Sequence, residues 1–340
     1  MLLEAPVGVA LLAKLEGLCR RDGPWFGGPE GCQPEAVARA VDAVGELTIG
    51  SLIALALEGA HDIAGPWIPK AATELAKAYR CADGRAAIAE ALATRFASAL
   101  HSGVDRSAQE WWNGPWPAGR NVEERVCFRD FGKVYGAGEF TWDGFWTVTD
   151  PSPEAHDQLI GAWEMDDGPI SRWLLPLRPD VRLFEIHRPG DWAGLVARYP
   201  QVARFPHAGW ELPGPNQSHS DVRGLVAGGY RHGARDEVVA HLVPDWRAVA
   251  ADFDGVHLSW AGFLTTEGYI SDLADGSVTM LRYWSSERTL WLADVFGEPQ
   301  PLPAPTLTGC YCGVLGATAQ TDAARQESDR AELTVILGRV

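Results

Sequence analysis

The tryptophans of this 340-residue chain are distributed unevenly and divide the sequence into two chemically different parts. Thirteen of the fifteen tryptophans lie from Trp111 onward, whereas the first hundred residues are rich in alanine, leucine and charged side chains. Alanine, leucine and charged residues favour helices, whereas aromatic residues favour strands. We therefore predict an all-α helical region over residues 1–115 and a second, tryptophan-rich domain over residues 116–340.

Hydrophobic spacing supports helices in the first part. Apolar residues recur at intervals of three and four in Val37–Val44 and again in Ile49–Ala56, as they do on the buried side of an amphipathic helix. Glycine–proline pairs at Gly23-Pro24 and Gly65-Pro66 interrupt the pattern. Glu35 follows Pro34, as is typical of the first turn of a helix. About four or five helices are expected.

The second part contains short runs in which apolar and polar residues mix, as in half-buried antiparallel strands. Short helices rather than long crossovers are expected between these runs, which favours an α+β fold over a doubly wound one. We therefore predict an α+β fold, an N-terminal helical region followed by a mainly antiparallel β domain with short helices. The predicted strands are residues 126–128, Phe145–Thr149, 173–177, 181–186, 279–284, 289–296 and 333–337.

Net charge and cysteine usage restrict the environment in which the chain works. A net charge of −16 disfavours binding to nucleic acid or to anionic membranes, so neither is expected as a partner. No uncharged stretch reaches the roughly 18–20 residues that a membrane span needs. Six scattered cysteines without zinc-type spacing predict reduced thiols, a cytoplasmic location and no metal.

Several common catalytic motifs are missing from the sequence. It contains no GxxxxGK[ST] phosphate loop, no GxSxG nucleophile elbow and no HExxH zinc helix.

One combination of candidate site residues is spread over three predicted strands. Arg129 ends the first, the run Gly144–Thr149 follows it, and Glu287 precedes the strand that begins at residue 289. This order of an arginine, a strand with hydroxyl side chains and a late glutamate resembles the ADP-ribosyltransferase family. The toxin-like branch of that family carries an arginine, a Ser-Thr-Ser strand and a catalytic glutamate. The resemblance covers about residues 122–296, roughly half of the chain.

The resemblance implies NAD as a substrate and ADP-ribosyl transfer as the reaction. Glu287 would be the catalytic residue, stabilising the positive charge on the ribose as nicotinamide leaves. Arg129, Trp146, Thr147 and Thr149 would bind NAD, the arginine through its planar fork of donors. Both threonine hydroxyls face one side of a strand, whereas Trp146 faces the other side if the strand is regular.

The acceptor of the ADP-ribose is unknown and is either a protein or a small molecule. Members of the family that modify arginine carry Glu or Gln two residues before the catalytic glutamate. Ser285 occupies that position here, which disfavours protein arginine as the acceptor.

Other interpretations remain open at the level of sequence. Arg129 also fits a surface ion pair, the two threonines fit ordinary strand preference, and Glu287 fits a hairpin turn. One alternative function is an enzyme of specialised metabolism with an apolar, tryptophan-lined pocket. Another is an acidic inhibitor or binding protein whose charge attracts a basic partner.

Overall fold

Nine α-helices and a seven-stranded sheet form the main elements of the residues described by the structure, a computed structural model. Those residues are 1–20, 32–63, 71–113, 144–149, 151–162, 170–202, 240–281 and 284–306. The combination of a helical region with a mainly antiparallel, mixed sheet confirms the predicted α+β class.

Five helices occupy the first hundred residues, as the hydrophobic spacing predicted. They are α1 Pro6–Leu18, α2 Pro34–Val44, α3 Ile49–Ile63, α4 Ala71–Arg80 and α5 Ala86–Leu100. Helix α1 is buried on nearly every side because α2, α3 and α4 all pack against it. Its residues are accordingly apolar on nearly all sides, as expected for a central helix, and the exceptions Lys14 and Glu16 are buried.

The main sheet contains seven of the eleven strands and has the order β11-β3-β1-β2-β10-β7-β4. All neighbours in it are antiparallel except β4 and β7, which run parallel. Its strands are β1 Gln109–Asn113, β2 Phe145–Thr149, β3 Ser171–Leu175, β4 Leu183–Ile186, β7 Gly255–Leu258, β10 Arg288–Trp291 and β11 Gln300–Leu302. Two smaller hairpin sheets pair β5 Pro200–Val202 with β6 Leu242–Pro244, and β8 Ile270–Asp272 with β9 Val278–Met280.

Four short helices connect or flank the strands. They are α6 His156–Ala162, α7 Pro189–Arg198, α8 Trp246–Asp252 and α9 Trp260–Thr266. Helix α8 begins where the Asp245 carboxylate accepts hydrogen bonds from the backbone N–H groups of Arg247 and Ala248. This side chain satisfies two of the donors that a helix start leaves open.

The two faces of the main sheet have different environments. On the helix-covered face, side chains such as Val148, Val256 and Leu290 belong to one hydrophobic core that also includes residues of α1–α5. On the second face, Phe145 and Trp291 belong to a smaller aromatic core. Successive side chains along each strand point to opposite faces, so every second residue lies in the same core.

The sheet begins within the predicted helical region. Strand β1 lies between β2 and β3, before the boundary that the sequence suggested at residue 115. The predicted strands at residues 126–128 and 333–337 lie outside the described residues. Within the described ranges, no helix is both long enough and apolar enough to cross a membrane.

Candidate functional site

The pairing of β2 with β10 brings the predicted threonines and glutamate to the same face of the sheet. Thr147 lies opposite Thr289 in this antiparallel pair, and Thr149, two residues along, faces the same side. Glu287 immediately precedes β10 and reaches this second face. The backbone N–H of Thr149 donates a hydrogen bond of 3.2 Å to Glu287 Oε2.

The backbone bends sharply just before Glu287. Ser285 has a φ of 63°, the only positive φ of a non-glycine residue in the described part of the chain. A left-handed conformation is costly for a residue with a Cβ, and it persists only where the surroundings enforce it. The bend at Ser285 therefore directs the chain so that Glu287 enters the sheet at the end of β2.

A buried glutamine connects the strands around this glutamate. Gln109 Oε1 accepts hydrogen bonds from the hydroxyls of Thr147, at 2.6 Å, and Thr289, at 3.5 Å. Gln109 Nε2 donates to Thr149 Oγ1 and to the carbonyl oxygen of Asp105, both at 3.0 Å. Gln109 thus connects β1, β2 and β10 through hydrogen bonds to all three threonine hydroxyls.

His257, on β7, completes the arrangement, which we name the threonine–glutamate cluster. His257 pairs with Thr289 in the sheet, and its Nδ1 lies 3.0 Å from Thr289 Oγ1 and 3.6 Å from Glu287 Oε1. The second distance is too long for a hydrogen bond. The members of the cluster are Gln109, Thr147, Thr149, His257, Glu287 and Thr289.

A tryptophan encloses the cluster from one side. Trp291 Nε1 donates a 2.8 Å hydrogen bond to Thr147 Oγ1, so the Thr147 hydroxyl both donates and accepts. The Trp291 ring lies over Gly255, where a Cβ would approach within 2.8 Å of the ring. A glycine at residue 255 therefore gives the indole the space that it needs to reach Thr147.

Burial makes both titratable members of the cluster neutral. Glu287 is 2% exposed, and its desolvation raises the pKa to about 8, although hydrogen bonds from the Thr149 N–H and hydroxyl lower it in part. Desolvation also lowers the pKa of His257 to about 3, and a positive charge on nearby His187 acts in the same direction. At neutral pH the cluster therefore holds a protonated carboxyl beside a neutral imidazole.

The other predicted site residues lie elsewhere. Trp146 is on the helix-covered face, where its ring contacts Trp284 at 4.9 Å and the Arg288 guanidinium at 4.1 Å between centres. The structure therefore does not bring Trp146 to the side of the strand that carries Thr147. Arg129 lies outside the described residues.

Three members of the cluster, Gln109, His257 and Thr289, were not predicted as site residues from the sequence. Gln109 precedes a Trp-Trp pair and belongs to no motif, so no local pattern distinguishes it. His257 interrupts the apolar run Val256–Leu258. A histidine within an apolar strand is therefore the one sequence signal that could have identified any of these missed residues.

A neighbouring Ser–His–Glu arrangement has a structural role. His187 lies 2.9 Å from Ser259 Oγ and 3.1 Å from Glu185 Oε2. Ser259, however, is fully buried, and its Oγ accepts from the Gly262 N–H at the start of α9. Because the hydroxyl caps a helix and has no exposed surface, it is not placed to act as a nucleophile.

The described residues contain no group of three or more His, Cys, Asp or Glu side chains arranged to hold a metal ion. Comparison with known proteins adds no family assignment: no family model, no curated protein and no solved structure matches this chain.

Proposed function

We propose that this chain catalyses NAD-dependent transfer of ADP-ribose, with Glu287 as the catalytic carboxylate. The observation that carries the proposal is the contact between Thr149 and Glu287, two residues 138 positions apart that meet through a 3.2 Å hydrogen bond. The pairing of β2 with β10 also sets Thr147 on the same face. The geometry thus supports the combination of a hydroxyl-bearing strand and a glutamate that the resemblance implies.

An unpartnered atom supports the binding of a sugar hydroxyl at this glutamate. Among the described residues, Glu287 Oε1 is buried and has no hydrogen-bond partner. Leaving such an atom unpaired costs about 1–3 kcal/mol. A hydroxyl of the nicotinamide ribose would supply the missing hydrogen bond, and the carboxylate would then stabilise the positive charge that develops on the ring.

The threonines orient the glutamate in this proposal. The bond between the ribose and nicotinamide of NAD breaks, and its electron pair leaves with nicotinamide. The acceptor forms a new bond to the same ribose carbon and releases a proton. Thr149 holds Glu287 Oε2 through its N–H. The Thr147 hydroxyl is already occupied by Gln109 and Trp291, so its role is to hold the cluster rather than to contact NAD.

The burial of the cluster sets a requirement for the reaction. Glu287 is 2% exposed and His257 is 1% exposed. The side chains that cover the second face must therefore move before a ribose reaches Glu287. Protection of Glu287 from carbodiimide modification in the free protein would confirm that the carboxyl is closed off before NAD binds.

The aromatic residues of the second face are used in packing. Trp111 stacks on Phe145 with ring centres 5.4 Å apart, and Trp291 meets Phe296 edge-on at 5.0 Å. All four side chains are buried in the aromatic core. Within the described residues these rings fill a core, which supports the alternative of an apolar, tryptophan-lined substrate pocket less well.

The test combines calorimetric titration of the protein with NAD and an assay for released nicotinamide. We expect the wild type to bind NAD and to release nicotinamide. Glu287→Gln keeps the shape of the side chain and removes its charge, so we expect turnover to be abolished while NAD binding persists.

Glu298→Gln is a matched control because Glu298 is an exposed carboxylate close to β10 in the chain. It should leave both binding and turnover unchanged. An equal loss of NAD binding and turnover in Glu287→Gln would argue against a catalytic role, and absence of both in the wild type would contradict the proposed function.

A further inference from the structure

Thr289 stands between two acceptors and has one hydrogen to donate. His257 Nδ1 lies 3.0 Å from Thr289 Oγ1, and Gln109 Oε1 lies 3.5 Å from it. If the hydroxyl donates to His257, the histidine carries its hydrogen on Nε2. If the hydroxyl turns to Gln109, Nδ1 is free to carry a hydrogen of its own.

Gln109 is arranged to accept that second hydrogen bond. Its Oε1 already accepts from Thr147 at 2.6 Å, and a carbonyl oxygen has a second lone pair. Its orientation is fixed because Nε2 donates to Thr149 and to Asp105. Rotation of the Thr289 hydroxyl therefore needs no other side chain to move.

His257 Nδ1 also faces the unpartnered oxygen of Glu287. The two atoms are 3.6 Å apart, and both side chains are almost completely buried. A small approach would convert this contact into a hydrogen bond between a carboxylate and an imidazolium. The cluster thus contains the partners for two different protonation states of the same pair.

We propose that Glu287 and His257 share one proton, and that Thr289 rotates its hydroxyl when the proton moves. In the first state Glu287 carries the proton on Oε1, and Thr289 donates to His257 Nδ1. In the second state the O–H bond of Glu287 is broken, an N–H bond is formed at His257 Nδ1, and Thr289 donates to Gln109 Oε1. Net charge is unchanged by the transfer.

The inference rests on the proposed function for its catalytic consequence only. ADP-ribosyl transfer needs an ionised Glu287, whereas burial keeps the free carboxyl protonated at neutral pH. A ribose hydroxyl bound at the carboxyl favours the ionised form, and His257 receives the proton without exchange with solvent. His257 is therefore a positioning residue that sets the charge of Glu287.

Three other titratable groups, Glu185, His187 and His101, are connected to His257 by successive contacts. Glu185 is the neighbour of His257 across the β4–β7 pair, and its negative charge favours the imidazolium. His187 lies 3.1 Å from Glu185, and His101 lies 6.2 Å from His187 between ring centres. Positive charge on either histidine disfavours the imidazolium. Arg288, next to Glu287, points to the helix-covered face.

The experiment is nitrogen-15 NMR of protein labelled at histidine, with the His257 signals assigned by their loss in His257→Gln. In the free protein at neutral pH we expect a neutral imidazole with its hydrogen on Nε2. Raising the pH through 8 should shift both ring nitrogens as Glu287 ionises, and Glu287→Gln should abolish this step. A hydrogen on Nδ1 at neutral pH, or a step that survives in Glu287→Gln, would overturn the inference.

A pair of Thr289 variants keeps the test independent of the His257 variant. Thr289→Val removes the hydroxyl and should displace the hydrogen of His257 from Nε2, whereas Thr289→Ser keeps the hydroxyl and should preserve it. Identical His257 signals in both variants would contradict the role of the hydroxyl. These spectra are recorded without NAD, so they test the inference independently of the proposed function.

Turnover supplies the catalytic half of the test. Without His257 as the proton acceptor, Glu287 ionises only by losing its proton to solvent. In His257→Gln we expect kcat to fall by about tenfold for each pH unit below the ionisation of Glu287 and to recover near pH 9. An equal loss at low and high pH would indicate a structural role and overturn the catalytic part of the inference.

Discussion

Two of the buried glutamates, Glu16 and Glu287, have surroundings that make the first negatively charged and the second neutral. Glu16, in the helical region, is fully buried and accepts hydrogen bonds from Arg20, Arg85 and the backbone N–H of Gln33. Burial alone raises the pKa of Glu16, but these partners outweigh it and hold the pKa below its usual value. Glu287 is equally buried, has no cation as a hydrogen-bond partner among the described residues, and has its pKa raised to about 8.

The difference shows that burial does not by itself decide the charge of a carboxyl group. Two arginines turn Glu16 into a permanently charged centre that holds α1 against the segment after α4. Glu287 has a backbone N–H and a neutral imidazole nearby, so a small change in its surroundings can convert the protonated carboxyl into the carboxylate. A buried carboxyl of the first kind is suited to structure, and one of the second kind is suited to proton transfer.

The largest expected effect is on Glu16. Glu16→Gln removes the carboxylate from two buried guanidinium groups, and we expect the free energy of unfolding to fall by roughly 3–5 kcal/mol. Glu287→Gln is the matched comparison. The protonated carboxyl and the amide have similar shapes and hydrogen bonds, but only the carboxyl ionises in the unfolded chain above its ordinary pKa. We therefore expect Glu287→Gln to cause no loss of stability at pH 6. Urea denaturation at pH 6 measures both, and equal losses would mean that Glu287 is ionised in the native state.

The second prediction uses pH to separate the two glutamates. The native state keeps a proton on Glu287 that the unfolded chain releases above its ordinary pKa of 4.5. The stabilisation from Glu287 is therefore complete below that pKa and is lost as the pH rises towards 8. Relative to Glu287→Gln, the wild type should lose about 1.4 kcal/mol of stability per pH unit in this range.

Glu16 should show the opposite sign. Its pKa is depressed, so its stabilisation is present above 4.5 and is lost as the pH falls further. Urea denaturation of the wild type and both glutamine variants from pH 4 to pH 8 makes the comparison. Curves for the wild type and Glu287→Gln that stay parallel throughout would contradict a raised pKa at Glu287.

The smallest effect is expected for an exposed carboxylate. Asp252 forms a 2.6 Å ion pair with Arg198, and both side chains are about half exposed. Water and salt screen such a pair. We expect Asp252→Asn to change the free energy of unfolding less than any variant above. A loss as large as that of Glu16→Gln would show that hydrogen bonding, rather than burial, separates the carboxylates of this chain.

The parts of the fold that follow a local pattern could be predicted from the sequence. Helical spacing located α2 and α3, and the alternation in Phe145–Thr149 located β2 and set Thr147 and Thr149 on one face. These predictions succeeded because side-chain periodicity is a property of a single segment. Strand order depends on pairing between distant segments. The position of β1 between β2 and β3, before residue 115, was therefore not predicted.

The partners of Glu287 could not be predicted for the same reason. Gln109 and Glu287 are 178 residues apart, and no pattern within either segment reveals that they share one cluster. His257 joins them only because β7 pairs with β10. A cluster assembled across β1, β2, β7 and β10 depends on long-range pairing, which local propensity does not encode.

The position of β10 between β2 and β7 has a consequence for the synthesis of the protein. Strands β2 and β7 are made first, but they are separated in the sheet by β10, which comes later in the chain. Until residues 288–291 have left the ribosome, both strands present unpaired edges, and such edges are prone to aggregation. Glu287 enters the sheet with the same strand. The nascent chain therefore acquires the strand that joins β2 to β7 and its candidate reactive carboxyl in a single late step of folding.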